Sequence, residues 1–340
     1  MTPGRFSDIA SKYAALRIAV MGDFCLDRYL EIDPGRPEIS IETGLPVHNV
    51  INVRAQPGGA GTIVNNLSAL GVGTILPVGF AGEDGEGYEL SGALKALAGV
   101  RLDHFVRTAH RRTFTYCKPL VIEPHKPPVE LNRLDFKNWT PTPASLQGLL
   151  VGELERVAGL VDAVIVLDQV DIPETGVVTQ KLLEALGMLV EAQPGLLVLA
   201  DSRRGLRGFP PVTFKMNAAE LAALTGARDE LSSEQIETAA RFLASRNGRS
   251  VFVTLAARGI LGATANGQLE HVPALPVRGE IDIVGAGDAV TANLIAAAAA
   301  GAALGECLEI ASAAASVVVH KLGTTGTASV PEILGLLPAG

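Results

Sequence analysis

The segment DIVGAGD, residues 282–288, stands where the pattern of the chain changes. Residues 272–283 are rich in Val, Ile and Pro, which predicts an extended approach. Residues 289–304 are almost entirely Ala, Leu, Ile, Val and Gly, which predicts a buried helix. Gly285 and Gly287 therefore fall at the start of a helix. Unpaired backbone N–H groups and the helix dipole attract anions at such a position.

Asp288 ends this segment and admits two interpretations. An Asp in the first turn of a helix is often only a capping residue. A carboxylate beside an anion site could instead accept a proton from a group that attacks a bound phosphate. The segment alone favours neither interpretation, so the rest of the chain has to distinguish them.

The composition limits the class of protein. The chain has 340 residues and a formal net charge of -8, without a Lys/Arg run, which argues against a nucleic-acid partner. Cys25, Cys117 and Cys307 are few and widely spaced, which predicts a reducing compartment and no cysteine metal site. The N-terminus lacks a signal-peptide pattern, and residues 289–304 are too few to span a bilayer. We therefore expect a cytoplasmic protein without a membrane partner.

Strands and helices alternate along most of the chain, which predicts an α/β fold with a mostly parallel sheet covered on both faces. The predicted strands are residues 17–21, 74–80, 163–167, 196–200, 213–216 and 250–254. The predicted helices are residues 1–16, 62–70, 88–97, 144–159, 175–192, 218–224 and 233–246. The polar residues after strand ends are Asp23, Asp168, Asp201, Asn217 and Thr254. Ligands of such sheets bind at the carboxyl ends of the strands, so we expect a site there.

Two segments, residues 27–56 and 111–138, do not follow this alternation. Both are extended in character and contain several prolines. They predict a small β lid that could pair with a second copy of the chain, although proline-rich loops would have a similar composition. We expect residues 1–340 to form a single domain that carries these two lid segments.

The motifs, in the order in which they occur along the chain, resemble those of the ribokinase (PfkB-type) carbohydrate kinases over about residues 15–335. DIVGAGD resembles the family signature D-x-x-G-A-G-D, residues 58–60 its N-terminal glycine motif, and residues 217–220 its N-x-x-E motif. Within the family, residues 22–29, 132–136 and 317–324 are most similar to the heptose-7-phosphate kinase domain of ADP-heptose synthesis. The resemblance implies a three-layer α/β/α fold with a mostly parallel central sheet and a small β lid.

The resemblance implies a catalytic role for the opening segment. Asp288 would take the proton from the attacking sugar hydroxyl, while Gly285, Ala286 and Gly287 would offer N–H groups to the γ-phosphate of ATP. Phosphoryl transfer requires mainly positioning and electrostatic stabilisation, so a carboxylate and an anion site side by side are sufficient.

The resemblance also implies the nucleotide and cation contacts. Glu220, with Asn217, would organise Mg²⁺ and its waters, although the pair could be only a helix cap with its capping-box partner. The nucleotide would lie along Thr254, Ala256 and Gly259, with Ser312 against the adenine. Asp282 and Val284 resemble the family's monovalent-cation site, which would hold K⁺.

On the sugar side, the resemblance implies that Asp27, Gly58 and Gly59 hold hydroxyl groups. Asp168 follows a strand where a polar substrate contact is expected. Thr62 stands where the family usually has an Asn, and a Thr cannot offer both the donor and the acceptor of an amide. We therefore expect an altered sugar contact at this position.

Basic residues in and beside the lid could meet a sugar phosphate or could form only a solvated edge. They are Arg111, Arg112, Lys118 and Arg133. Residues 201–204 read Asp-Ser-Arg-Arg where the heptose kinases usually have Asp-Pro and a Lys, so a charge has been moved or replaced.

The sequence thus predicts a kinase that uses ATP and Mg²⁺ to phosphorylate a sugar or a sugar phosphate, with heptose 7-phosphate as the leading acceptor through its 1-hydroxyl. A ribokinase-, fructokinase- or nucleoside-kinase-like substrate is the next hypothesis. A non-catalytic sugar-binding regulatory protein on the same fold is an alternative from another class. The resemblance also implies a possible homodimer through the lid.

Overall fold

The computed structural model describes residues 1–227, 229–323 and 325–338. The strands, in chain order, are β1 (Arg17–Gly22), β2 (Phe24–Ile32), β3 (Glu38–Ile39), β4 (Pro46–Val47), β5 (Val50–Gly59), β6 (Thr74–Gly82), β7 (Phe105–Thr108), β8 (Phe114–Val121), β9 (Val129–Glu130), β10 (Leu134–Phe136), β11 (Ala163–Asp168), β12 (Leu197–Ser202), β13 (Thr213–Asn217), β14 (Val251–Thr254), β15 (Ile260–Ala263) and β16 (Leu269–Val272). The helices are α1 (Pro3–Ala10), α2 (Ala60–Ala69), α3 (Gly85–Lys95), α4 (Ala144–Ala158), α5 (Gln180–Ala192), α6 (Ala218–Thr225), α7 (Ser233–Asn247), α8 (Ala286–Ala299), α9 (Leu304–Val319) and α10 (Val330–Leu334).

A nine-stranded sheet forms the middle layer, in the order β16-β15-β14-β13-β12-β11-β1-β6-β7. Its neighbours from β7 to β14 pair in parallel, and β15 and β16 complete one edge as an antiparallel meander. The predicted mostly parallel sheet is therefore confirmed. The antiparallel edge was not predicted, because its two short strands lack a helix between them.

Helices cover both faces of this sheet. Successive residues of β1 alternate between the two faces, so Ile18 and Val20 belong to one core cluster and Ala19 and Met21 to the other. The first core is completed by α1, α2, α3, α8, α9 and α10. The second is completed by α4, α5, α6 and α7. This is the three-layer arrangement that the sequence predicts.

A second sheet, which we call the lid, has the strand order β10-β8-β2-β5, with β9 paired to β8. β2 runs antiparallel to β5 and parallel to β8. The two segments predicted to leave the βα alternation, residues 27–56 and 111–138, fall within this sheet and its connections. β5 continues directly into α2 at Gly59, so the lid is joined to the helical layer without a loop.

The approach to α8 differs from the prediction. Residues 273–285 form no strand after β16 ends at Val272, and they run as an irregular segment. Pro273 and Pro276 have no N–H group to give to a neighbouring strand, which explains why the composition misled the prediction. The glycines of the opening segment therefore lie at a loop-to-helix junction.

Several helix boundaries also differ from the prediction; α1, for example, ends at Ala10 and not at residue 16. α8 ends at Ala299 and not at residue 304, because the chain turns at Gly301 with φ 83° and then begins α9. α5 begins at Gln180 and not at residue 175, because Thr179 is its N-cap and accepts a hydrogen bond from Leu182 N. Within the described ranges, the helices are too short or too polar to cross a membrane.

Candidate active site

The first turn of α8 lies against the glycine motif of the lid junction. Gly285 is the N-cap of α8 and has φ 81°, a conformation that favours glycine. A Cβ atom at this position would lie 2.6 Å from Thr325 Cγ2 and 3.7 Å from Thr62 Cγ2. Two motifs that are more than 200 residues apart in sequence therefore meet at one point.

The backbone donors of this turn are only partly free. The N–H group of Ala286 donates to Ile283 O at 3.2 Å. Within the described residues, the N–H groups of Gly285 and Gly287 have no backbone acceptor. The anion site predicted from all three N–H groups is therefore open at Gly285 and Gly287, whereas Ala286 is engaged in a turn.

Asp288 occupies the third position of α8 and is half-buried. Its carboxylate accepts no hydrogen bond from the described part of the chain, so it does not cap the helix. Burial raises the pKa of Asp288 to about 7, although the nearby charge of Lys215 lowers it and the charges of Asp201 and Asp27 raise it. The helix-cap interpretation is wrong, and the carboxylate is left available for other chemistry.

Lys215 on β13 is the charged residue of this centre that the sequence predictions missed. Its side chain is buried, and its Nζ atom donates to Asp201 Oδ2 at 2.6 Å. Thr291 Oγ1 of α8 also donates to Asp201 Oδ2, at 3.2 Å. A Cβ atom at Gly287 would lie 3.3 Å from Lys215 Nζ, so the ammonium group lies close to the first turn of α8.

The charge of Lys215 is secured by its surroundings. Burial lowers the pKa of this lysine, but the charge and hydrogen bond of Asp201, together with the charges of Asp288 and Glu220, raise it, and the net pKa lies above the usual value. A Lys in the middle of a buried strand, two residues before the strand-end Asn217, is the sequence signal that could have identified it.

The residues predicted to contact the nucleotide gather on the β13–β16 side of the sheet. Asn217 and Thr254 are directly opposite each other in the β13–β14 pair. Ala256 and Gly259 lie in the turn after β14 with φ 51° and 98°. Ser312 of α9 donates to the carbonyl of Pro273, which follows β16, at 3.3 Å.

Asn217 and Glu220 form a capping box at the start of α6. Asn217 Oδ1 accepts from Glu220 N at 2.9 Å, and Glu220 Oε2 accepts from Asn217 N at 2.7 Å. Burial raises the pKa of Glu220, whose second carboxylate oxygen has no hydrogen-bond partner among the described residues. The cap is therefore present, and one oxygen of Glu220 is left for another ligand.

The residues predicted for cations have few free oxygens. Asp282 Oδ1 accepts from Val284 N at 3.0 Å, and Asp282 N donates to Val319 O at 2.8 Å. In the described ranges, no three His, Cys, Asp or Glu side chains are grouped so as to hold a metal ion. A lone carboxylate such as Glu220 fits Mg²⁺, because this ion keeps several waters and is otherwise held by phosphates.

On the sugar side, Asp27 projects from β2 beside the glycine motif. A Cβ atom at Gly58 would lie 2.7 Å from Asp27 Oδ2, and Gly59 leads directly into α2. Lys118 of β8 lies 3.4 Å from Asp27 Oδ1. Burial raises the pKa of Asp27, and the charge of Lys118 partly offsets this effect. Thr62 is buried in α2 next to this group.

Asp168, at the end of β11, is largely committed to protein contacts. Its Oδ2 atom accepts from Ser202 Oγ at 2.7 Å and from an Arg204 guanidinium nitrogen at 2.8 Å. Its Oδ1 atom is buried and has no hydrogen-bond partner within the described residues. Burial raises the pKa of Asp168, an effect that Ser202 and Arg204 reduce.

A group of paired charges lies where the lid approaches the ends of β11 and β12, and we call it the rim cluster. Its members are Arg133, Asp135, Lys137, Asp171 and Arg203. Arg133 donates twice to Asp135, at 2.7 and 2.8 Å, and Lys137 donates to Asp171 at 2.8 Å. A cavity of about 40 Å³ adjoins the cluster and is lined by Lys137 and Asp171.

Arg111 does not join the rim cluster. It is buried, and its guanidinium donates to Thr140 Oγ1 at 3.0 Å and to Thr140 O at 2.8 Å. The alternative in which Arg111 meets a sugar phosphate therefore has no support in the structure. Its position is that of a structural residue beneath the lid.

The fold and this arrangement of charges define a phosphotransferase of the ribokinase-like type. The family model for pfkB family carbohydrate kinases matches residues 24–331, so the chain belongs to this family. Kinases of this family transfer a phosphoryl group to a sugar hydroxyl. The family predicted from the sequence motifs is confirmed.

Curated relatives are similar over nearly the whole chain. The chain is 32% identical over 308 residues to the bifunctional protein HldE of Azorhizobium caulinodans, which covers 90% of the chain and 61% of that protein. It is 34% identical to the HldE protein of Pseudomonas entomophila, with 93% and 62% covered. The chain thus spans less than two thirds of the length of these relatives.

Solved structures share the fold. The Escherichia coli phosphofructokinase-2 in complex with potassium has a TM-score of 0.72 at 19% identity, with 94% of this chain and 98% of that chain covered. An Arabidopsis thaliana ribokinase complexed with ribose and ATP has a TM-score of 0.62 at 22% identity, with 93% and 95% covered. The predicted ribokinase-like fold is confirmed.

Proposed function

We propose that the chain is an ATP-dependent kinase in which Asp288 is the base for the acceptor hydroxyl. The observation that carries this proposal is the Asp288 carboxylate, which is half-buried, free of hydrogen bonds from the described residues and held in the first turn of α8. The open N–H groups of Gly285 and Gly287 lie beside it and would donate hydrogen bonds to the γ-phosphate. Ala286 would join them if its N–H left Ile283 O.

The nucleotide half of the proposal rests on the group around β13 and β14. Thr254, Ala256, Gly259 and Ser312 would line the nucleotide. Glu220 would hold Mg²⁺ through water by its unpaired carboxylate oxygen, with Asn217 fixing its orientation. Mg²⁺ would bridge the phosphates and offset their charge.

We also propose K⁺ as a cation near Asp282 and Val284. Such an ion would use the remaining oxygen of Asp282 and carbonyl oxygens, since Asp282 Oδ1 already accepts from Val284 N. Activity in K⁺ compared with tetramethylammonium at equal ionic strength tests this proposal. Equal activity in both salts would contradict it.

For the acceptor we propose a sugar phosphate, with heptose 7-phosphate phosphorylated on its 1-hydroxyl. The similarity to HldE proteins supports this choice. The acceptor sugar would contact Asp27, Gly58 and Gly59 of the lid strands and Thr62 of α2.

The rim cluster supports a phosphorylated acceptor. It contains three cations against two carboxylates, so it has a net positive charge at the lid edge. Arg133 is close enough for its charge to lower the pKa of Asp27. The charge of Asp27 in turn raises the pKa of Asp288. Asp168, held by Arg204, would border the same space.

A neutral sugar is the second candidate acceptor. The specific observation in its favour is that both carboxylates of the rim cluster already neutralise cations, with Asp135 accepting hydrogen bonds from two guanidinium nitrogens of Arg133. A phosphate would therefore have to displace a carboxylate before it could bind, which a neutral ribose- or fructose-like sugar need not do.

ADP release with a panel of acceptors distinguishes these candidates. The panel consists of heptose 7-phosphate, fructose 6-phosphate, ribose 5-phosphate, fructose, ribose and adenosine. We expect the largest kcat/KM with heptose 7-phosphate. A larger value with a neutral sugar would contradict the phosphorylated acceptor. No release with any acceptor, combined with sugar-induced shifts in melting temperature, would favour the sugar-binding regulatory alternative.

We propose further that residues 1–340 act as one catalytic domain and that two copies pair through the lid. Apolar side chains on β5 and on the β3–β4 connection are exposed, with Ile41 at 99% and Ile51 at 52%. Sedimentation of the full chain tests the pairing, and a monomer at micromolar concentration would contradict it. The use of ATP and the three free cysteines support a cytoplasmic location.

A further inference from the structure

Lys215 is the buried charge that the roles assigned so far do not use. Its ammonium group has three donors, and in the described part of the chain Asp201 Oδ2 is its one hydrogen-bond acceptor. A buried ammonium group with unused donors is costly unless it has a further partner. The position of Lys215 therefore indicates a second acceptor that arrives with a ligand.

The ammonium group of Lys215 lies next to the anion site at the start of α8. The Cβ position of Gly287 is 3.3 Å from Lys215 Nζ, and the N–H group of Gly287 is one of the two free donors of the α8 turn. Asp288 is the next residue, and the charge of Lys215 lowers its pKa. An anion held at the α8 turn would thus be reached by backbone donors from one side and by Lys215 from another.

We propose that Lys215 is a catalytic residue that donates to the γ-phosphoryl group during its transfer. In this step the acceptor oxygen forms a bond to the γ-phosphorus, and the bond from the γ-phosphorus to the bridging oxygen of ADP breaks. The hydroxyl proton passes to Asp288. Lys215 stays protonated throughout and stabilises the charge on the phosphoryl oxygens.

Asp201 has a defined part in this proposal. It holds Lys215 beneath the α8 turn through the 2.6 Å contact, and Thr291 fixes Asp201 from α8 itself. The simpler explanation is that Lys215 only neutralises Asp201 and has no contact with a ligand. These two explanations predict different results for a double variant.

The test compares Lys215→Met with the double variant Lys215→Met/Asp201→Asn. The single variant leaves a buried Asp201 unpaired and could unfold, whereas the double variant removes both charges of the pair and should fold. If Lys215 contacts the phosphoryl group, we expect kcat to fall roughly 10²- to 10³-fold in both variants. The Kd of ADP should change by less than about threefold, since ADP lacks the γ-phosphoryl group.

Two further readouts sharpen the result. Binding of Mg²⁺, ADP and aluminium fluoride, which together imitate the phosphoryl group in transfer, should weaken in the double variant by about the same factor as kcat. Lys215→Arg, which keeps the charge, should retain more activity than the methionine variant. Thr291→Val, which removes the hydrogen bonds of Thr291 Oγ1 to Asp201 and to Gly287 O but no charge, should lower kcat by no more than about tenfold.

A kcat of the double variant within about threefold of that of the unaltered chain would overturn the proposal. It would mean that Lys215 serves only to neutralise Asp201. Unchanged binding of the aluminium fluoride complex would overturn it as well. The binding readout does not depend on which sugar is the natural acceptor, because nucleotide binding can be measured without one. Failure of the heptose 7-phosphate proposal would therefore leave this test intact.

Discussion

Asp288 and Glu220 of the candidate active site are held in the opposite way to Asp171 of the rim cluster. Burial raises the pKa of Asp288 to about 7 and also raises that of Glu220. In the rim cluster, the hydrogen bond from Lys137 lowers the pKa of Asp171. Burial of ionised carboxylates in the candidate active site thus costs free energy. In the rim cluster, the charges neutralise one another.

This difference separates chemistry from recognition. A group that must accept a proton near neutral pH benefits from a raised pKa, and unfavourable burial is one way to obtain it. Paired charges at an exposed edge contribute little to stability and can exchange partners when a charged ligand arrives. Changes at the centre should therefore affect turnover, and changes at the rim cluster should affect substrate affinity.

The largest effect is expected at the centre. Asp288→Asn should lower kcat roughly 10²- to 10⁴-fold, because an amide cannot accept the hydroxyl proton. The Kd of ATP should be nearly unchanged, since the anion site is made of backbone N–H groups. Single-turnover rates together with equilibrium titration of ATP measure both quantities. A loss of less than tenfold in kcat would remove Asp288 from the role of base.

A smaller effect is expected at Glu220, and it separates its two possible roles. Glu220→Gln should preserve the helix cap, because Gln235 already makes the same contact with Ser232 N at 2.8 Å in α7. It removes the charge that would attract Mg²⁺, so the Mg²⁺ concentration for half-maximal activity should rise about 10-fold or more. An unchanged Mg²⁺ requirement, with an unchanged melting temperature, would show that Glu220 is only a cap.

The smallest effect is expected at the rim cluster. Arg133→Ala should raise the KM of a phosphorylated acceptor roughly 5- to 10-fold and leave kcat within about twofold, since the guanidinium would bind the phosphate and not the reacting hydroxyl. The KM of a neutral sugar should not change. Arg36→Ala, which removes a similar exposed pair with Asp33 from the lid, is the matched control. Equal effects of the two variants would contradict a phosphate role for the rim cluster.

The difference between local sequence pattern and contacts made only in the folded chain explains how much the sequence could predict. The glycine motifs, the alternation of strands and helices and the strand-end polar residues depend on local pattern, and they predicted the fold and the lid. Lys215 was missed because its importance depends on Asp201 and Gly287, which only the folded chain brings beside it. Local pattern also could not exclude the interpretation of Asp288 as a helix cap. The hydrogen bonds at the start of α8 decide between the two interpretations, and the sequence does not show them.

The predicted boundaries of strands and helices were wrong where tertiary contacts override the preference of the local composition. Residues 273–285 have strand-forming composition, but their prolines and the edge position of β16 leave them without a partner strand. The run of alanines beyond residue 299 looks like a continuation of α8, yet the turn at Gly301 allows α9 to fold back and pack on it. Neither outcome can be read from propensity alone.

The central claim is that Asp288 is a base whose pKa lies near 7 before substrates bind. The most direct test is the pH dependence of the rate at concentrations of both substrates far below their KM values, because this rate reports the ionisation of the free enzyme. The ionisation of the substrates is measured separately and corrected for. Protonation of Asp288 below its pKa removes the base, so the logarithm of the rate should rise with a slope of one up to about pH 7 and then level off. A rate that does not change between about pH 5 and pH 8 would contradict the claim.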